Sequence, residues 1–145
     1  MRIPMKVDYA VRALLELADA RGSATKQSAE IAERWNIPAP YLDQLLTALR
    51  KAGLVSSVRG PQGGHMLARP ASSITVNQVF EALEGPLSPI DCLDDSVRCS
   101  FSRACAIQDL WSEVQTAVSG VLSSVSIADL ASRQAAMSRP AMYYI

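Results

Sequence analysis

The residues best equipped for chemistry are three cysteines, Cys92, Cys99 and Cys105, and all of them fall within the fourteen residues CLDDSVRCSFSRAC. Their spacing, C-x6-C-x5-C, is too open for a zinc knuckle, which carries a tight CxxC pair. Between them lie Asp94, Asp95, Ser96, Arg98, Ser100, Ser102 and Arg103, and only Leu93, Val97, Phe101 and Ala104 could pack. The segment therefore reads as a polar loop. Cysteine is ordinarily among the most buried residue types, so three in a polar loop need a reason. Thiolate ligation of a soft metal centre is one. Free thiols, or one disulfide and a spare thiol, are the others, and spacing alone leaves them open.

The rest of the composition narrows the class. The chain has 145 residues and almost half are hydrophobic, enough for one domain with a real core and an added assembly element. It has no run of eighteen apolar residues and no signal peptide ahead of its first polar positions, so a soluble, cytoplasmic protein is expected. An odd cysteine count in a reducing compartment argues against a disulfide framework. With one histidine and no nucleophile–base pair, an enzyme is not expected. Net charge is zero, but residues 1–70 hold ten Lys/Arg against six Asp/Glu, and residues 71–145 four against eight. A basic amino half joined to an acidic carboxyl half suits one region that binds a polyanion and one with another task.

Three helices and a hairpin must position a polyanion contact. Residues 7–20 place Val7, Ala10, Val11, Leu14, Leu15 and Ala18 on one helical stripe ended by Gly22, with Asp8 in the first turn, where a carboxylate suits the helix dipole. A helix of about two turns follows near 27–34, packing through Ala29, Ile31 and Ala32, and ends in Trp35-Asn36-Ile37. Pro38 and Pro40 open a third helix running to about Ala52, with Leu42, Leu45, Leu46 and Leu49 inward and Gln44, Thr47 and Lys51 outward between Asp43 and Arg50. Strand 54–58, the turn Arg59-Gly60-Pro61-Gln62-Gly63-Gly64 and the returning strand 65–68 complete a winged helix-turn-helix. A nucleotide phosphate loop does not fit the glycine turn, since no GK[ST] follows it. Double-stranded DNA is the expected partner. Tyr41, Gln44 and Thr47 are candidates for base edges or phosphates, and Lys26, Arg50, Lys51 and Arg59 for the backbone. Gly60, Gly63 and Gly64 allow close approach to a phosphate or groove wall, and Arg59 can enter a narrow minor groove. Asp43 could accept from a cytosine amino group, or could merely favour its helix's amino end.

Beyond the connector 69–73, the capping box Thr75-x-x-Gln78 opens a helix with Val76, Val79, Phe80 and Leu83 inward. Gly85-Pro86 stops it, and Pro89 keeps the approach to the cysteines irregular. Residues 106–124 form a long helix whose apolar stripe, from Leu110 and Trp111 to Leu122 and Val125, is too wide for a lone surface helix. It fits packing against both its own subunit and a partner, hence a symmetric homodimer reading a palindromic operator. Ser126-x-x-Asp129 starts a last short helix, and Ser138–Ile145 has few anchors. The fold expected is mainly α with a small β-wing. Residues 1–70 are expected to form the DNA-binding domain, residues 71–105 a connecting helix and the cysteine loop, and residues 106–145 the dimerisation and terminal helices.

With wing and cysteines both placed, the chain resembles the bacterial winged-helix iron–sulfur regulators (Rrf-type) typified by IscR, NsrR and RirA. The resemblance spans nearly the whole length and is carried by DYAVRALLELA, YLDQLLTALRKAGLVSSVRGPQGGHMLARP, ITVNQVFEALEGPL and three cysteines followed by LWSEV. It implies a homodimer on palindromic promoters, acting as a repressor, with Cys92, Cys99 and Cys105 ligating a [2Fe–2S] or [4Fe–4S] cluster. In the IscR branch a histidine three positions after the last cysteine is the fourth ligand, whereas Gln108 stands there in this chain. In the NsrR branch an aspartate at the start of the first helix reaches the partner's cluster, and Asp8 stands in that place. Asp43 matches a cytosine-reading glutamate and Arg59 a minor-groove arginine; His65 stands where a tyrosine is common on the wing. The signal implied is iron–sulfur status, iron, nitric oxide or redox stress. The rival expectation is a cluster-free regulator in which the cysteines form reversible disulfides.

Overall fold

The computed structural model describes residues 1–19, 24–94 and 105–140. Gly22, proposed to stop the first helix, and Cys99, with the rest of its loop from 95 to 104, lie outside these residues. Helix α1 (Met5–Asp19) is followed by α2 (Ser28–Trp35) and α3 (Ala39–Lys51), and then by an antiparallel pair, β1 (Val55–Val58) and β2 (Gly64–Leu67). The pair runs in register from Val55 opposite Leu67 to Val58 opposite Gly64. A 3-10 turn at 71–73 leads to α4 (Val76–Glu84), the short α5 (Asp91–Asp94), the long α6 (Ala106–Ser124) and α7 (Ile127–Met137). Among the described residues no helix is long and apolar enough to cross a membrane.

The leucine stripe of α3 is buried as its spacing predicts, and Leu42, Leu46 and Leu49 pack with Leu14 of α1 and Ile31 of α2 in one cluster. Asn36 closes α2 in the left-handed conformation, φ 51°, and so turns the chain tightly from α2 into α3. Ile74, Val79 and Ile127 belong to the same cluster, so the core continues through the boundary expected at residue 70. Here two capping boxes meet. Thr75 caps α4 and Ser126 caps α7, each accepting from the backbone N–H three residues on. The two caps face each other across an antiparallel bridge, with Val76 N–H donating to Val125 O (3.0 Å) and Ile127 N–H to Ile74 O (2.8 Å). The end of α6 is thereby fastened to the start of α4.

Two helical faces differ in detail from the sequence expectation. In α1 the deeply buried residues are Val7, Ala10, Ala13, Leu14, Glu16 and Leu17, while Val11, Leu15 and Ala18 are only partly covered. The helix is covered from several sides, by α2, α3, α4 and α7, which widens and rotates its buried face. In α2 Ala29 is exposed, and Ile31 and Ala32 do the packing. Helix α6, the longest, has no fully buried residue. Val118 and Leu122 lie against Val7, Phe80 and Leu87, whereas Ile107 and Val121 are each 64 % exposed and Leu110 54 %.

Candidate nucleic-acid interface and cysteine site

Burial of the leucines in α3 fixes what the helix shows to solvent. Asp43, Gln44, Thr47, Arg50 and Lys51 are all exposed on the opposite side. The Thr47 hydroxyl donates to the Asp43 carbonyl, 2.8 Å, which ties its side chain to the helix surface. Asp43 lies beyond the first turn of α3, which contains no acid, so the helix-dipole explanation for it loses its footing. Tyr41 is half-buried and meets Tyr9 edge-on at 5.9 Å, with the Arg12 guanidinium 5.6 Å from the Tyr9 ring centre.

Arg59 and Gly60 are exposed at the wing tip. Behind them the wing is held by a segment that the sequence did not single out as structural. Lys26 pairs with His65 through both backbone bonds, Lys26 N–H to His65 O at 2.9 Å and His65 N–H to Lys26 O at 2.7 Å. The Thr25 hydroxyl donates to Gln62 O (3.0 Å), and the Gln27 amide donates to Gly63 O. Residues 25–27 thus act as a third rail beside β2. This explains two glycines differently from the sequence reading. A Cβ on Gly63 would stand 2.1 Å from Val58 O, and one on Gly64 2.6 Å from Lys26 O. The chain's own backbone, and not only an incoming phosphate, requires them. We predict that Gly64→Ala costs about 1–3 kcal/mol in urea unfolding, because backbone must move to admit the methyl group. Its DNA affinity should fall with it, while Gly60→Ala would meet no atom within 4 Å and strain only its own turn, where φ is 111°.

Lys26 itself is half-buried, and its ammonium is engaged within the chain. It is bonded to Glu16, a carboxylate only 5 % exposed. Arg34 Nε (2.9 Å) and Trp35 Nε1 (3.1 Å) reach the other Glu16 oxygen. Burial by itself would raise the Glu16 pKa, but the hydrogen bonds from Lys26 and Trp35 and the charges of Lys26 and Arg34 outweigh it and hold the group below its ordinary 4.5. Its contribution to stability is therefore present above pH 4.5 and is lost as the pH falls through the lower folded value. His65 lies on β2 with Nδ1 3.0 Å from Ser57 Oγ. Burial pushes its pKa down; Asp43's charge pulls it up and Arg50's pushes it down further. The histidine thus sits where recognition helix and wing face each other.

Toward the other end of the molecule, Cys92 is carried by α5 and Cys105 is the residue that opens α6, both half-buried. The Gln108 amide, one turn into α6, donates to the Cys92 carbonyl at 3.2 Å and so fastens the backbone at Cys92 to the first turn of α6. Cys105 does not spend its sulfur on capping the helix. The positive end of the α6 dipole lies there too, which suits an anionic group. Thiolates are suitable ligands for an iron centre, and two of the three candidates stand on adjoining elements; the third, Cys99, is outside the described residues. Among the described residues no three His, Cys, Asp or Glu side chains come together. Gln108 acts on the Cys92 backbone, and Asp8 pairs with Arg12 at 2.7 Å.

Recognition helix, wing and cysteine-headed long helix together can be set against known proteins. The family described as Rrf2, iron-dependent transcriptional regulator, matches residues 3–133. The chain belongs to the Rrf2 family. It is 36 % identical over 145 residues, the whole of both chains, to the HTH-type transcriptional regulator CymR of Bacillus subtilis (strain 168). It is 37 % identical over 134 residues to IscR of Escherichia coli O1:K1 / APEC, covering 92 % of this chain and 82 % of that one. Among solved structures it is similar to CymR, the global cysteine regulator of B. subtilis, with a TM-score of 0.78, 36 % identity and coverage of 92 % and 98 %. It is equally similar to T. potens IscR, with a TM-score of 0.79, 36 % identity and coverage of 99 % and 97 %. The mainly helical fold with its two-stranded wing matches these winged-helix proteins. The chain is a DNA-binding transcriptional regulator, its relatives being named regulators and not enzymes.

Proposed function

We propose that this regulator works as a homodimeric repressor on a palindromic operator and senses its signal through an iron–sulfur cluster held by Cys92, Cys99 and Cys105. The observation that carries the sensing role is the bond from the Gln108 amide to the Cys92 carbonyl, which fastens the element carrying Cys92 to the first turn of the helix that Cys105 opens. Asp8 from the second copy serves as the fourth ligand, giving up Arg12 to do so. A bound cluster supplies a centre open to oxidants, nitric oxide and iron loss. The protein supplies the transmission. A change at Cys105 acts on the first turn of α6, α6 is fastened to α4 through Val125 and Val76, and α4 packs on α1 and α3. The DNA contacts come from Tyr41, Asp43, Gln44, Thr47, Arg50 and Lys51 on the helix, and from Arg59 and His65 on the wing. Residues 1–70 then work as the reader, 71–105 as the sensor and 106–145 as the dimer element, in one continuous core.

The test is iron and acid-labile sulfide per chain, with a visible spectrum, on protein purified without oxygen. Matching iron and sulfide would support the proposal, and their number would choose between two and four irons. Zinc, or no metal after attempted reconstitution, would leave the regulator standing and turn the cysteines into a thiol switch. The likeness to a cysteine regulator, of which an oxidised form is known from Staphylococcus aureus, favours that second reading.

A further inference from the structure

We propose that Glu16, buried in the last turn of α1, is the residue that positions the wing on the helix-turn-helix body. Its carboxylate is 5 % exposed in a helix face that is otherwise apolar. Each oxygen is used. One takes the Lys26 ammonium, from the segment that lines the wing; the other takes Arg34 Nε and Trp35 Nε1, from the end of α2. Lys26 passes the restraint on through its backbone, which is bonded twice to His65, while its neighbours Thr25 and Gln27 hold Gln62 and Gly63. An unbroken path of polar contacts therefore runs from α1 to the wing turn, and the same carboxylate fixes α2.

The chemistry favours positioning over bulk stability. Removing a carboxylate from water is costly, and an apolar side chain of similar volume commonly stabilises a core as well or better. What an apolar side chain lacks is direction: it would not hold Lys26 at one distance from α2. A short two-stranded ribbon has little stability of its own, so its angle depends on what it is tied to. Glu16 is a positioning residue that acts through Lys26.

The experiment compares Glu16→Gln and Lys26→Met with the wild-type chain, the second variant keeping the aliphatic stem and leaving Glu16 to Arg34 and Trp35. Amide hydrogen exchange on the DNA-free protein is the first readout. The Lys26 and His65 amides are expected to exchange about tenfold faster, the size of one lost charge-assisted hydrogen bond, while amides of α4 and α6 keep wild-type rates. Uniform acceleration across the chain, or none, would overturn the proposal. The second readout is affinity for a duplex selected from a random pool by the wild-type protein. Glu16→Gln should weaken binding about tenfold alone and less than about twofold in an Arg59→Ala background, because residues acting through one element are not additive. Additive losses would show that Glu16 does not act through the wing. The DNA readout rests on the wing reaching DNA through Arg59. If Arg59→Ala alone binds as wild type, that reading fails, and the exchange rates decide the proposal by themselves.

Discussion

The double substitution Leu110→Glu with Val121→Glu is expected to convert the protein to a monomer and to weaken operator binding by about 10²- to 10⁴-fold, the range lost when two linked half-sites become independent. The expectation comes from what α6 leaves uncovered. Ile107, Leu110, Val114, Ala117 and Val121 follow one another at steps of three and four residues, the spacing of a seam between paired helices. Ile107, Leu110 and Val121 are largely exposed on that seam. Each large aliphatic side chain buried there adds about 1.5–3 kcal/mol, counted twice across a twofold axis. Carboxylates in their place would be carried into the seam without water or a partner charge, which opposes association. In the monomer they would point to water, so the far-ultraviolet circular dichroism and the core packing should not change. Sedimentation equilibrium and a binding titration decide the matter together. A variant that stays dimeric with wild-type affinity would remove α6 from the interface.

How much of this was legible in the sequence depends on how local the cause is. The buried leucines of α3, the bounds of α6 and the two capping boxes follow from residues within one or two turns, and the structure has them as expected. Glu16 was not legible. A periodicity count assigns an acid to the polar face, and only partners ten to nineteen residues away make it tolerable in the core. Lys26 shows the same limit: a basic residue before α2 reads as a phosphate ligand, and its ion pair with Glu16 is visible only in the fold. For Gly63 and Gly64 the residue type was legible and the reason was not, because the atoms that exclude a side chain belong to the chain's own backbone. Asp8 had two readings, helix dipole and distant ligand, and the fold adds a third in Arg12, four residues on. Gln108 had only a negative meaning, as a poor ligand, until its bond to the Cys92 carbonyl gave it a structural one.

Replacing Cys105 by alanine is expected to abolish iron and sulfide incorporation and the visible absorption, and with them any response of operator binding to iron or oxidants. Dimerisation and the apparent melting temperature of the metal-free protein should stay at their wild-type values. The separation is possible because Cys105 opens α6 without using its side chain as a cap, so alanine there removes a thiol and not a helix contact. Asp8→Ala should behave differently. Three thiolates would still hold iron, so the metal should load, but the spectrum should shift and the bound iron should be lost faster to a chelator. The ion pair that Asp8 must leave is half-exposed on both sides, and such pairs are worth only about 0.2–1 kcal/mol, so Arg12 is a weak competitor for a metal-bound carboxylate. Chelator kinetics on the two variants and the wild type, followed by absorbance without oxygen, separate the roles. If Cys105→Ala loads iron and sulfide as the wild type does, the proposed ligand set is wrong. An Asp8→Ala protein with an unchanged spectrum and release rate would leave Asp8 with Arg12 and the helix dipole alone.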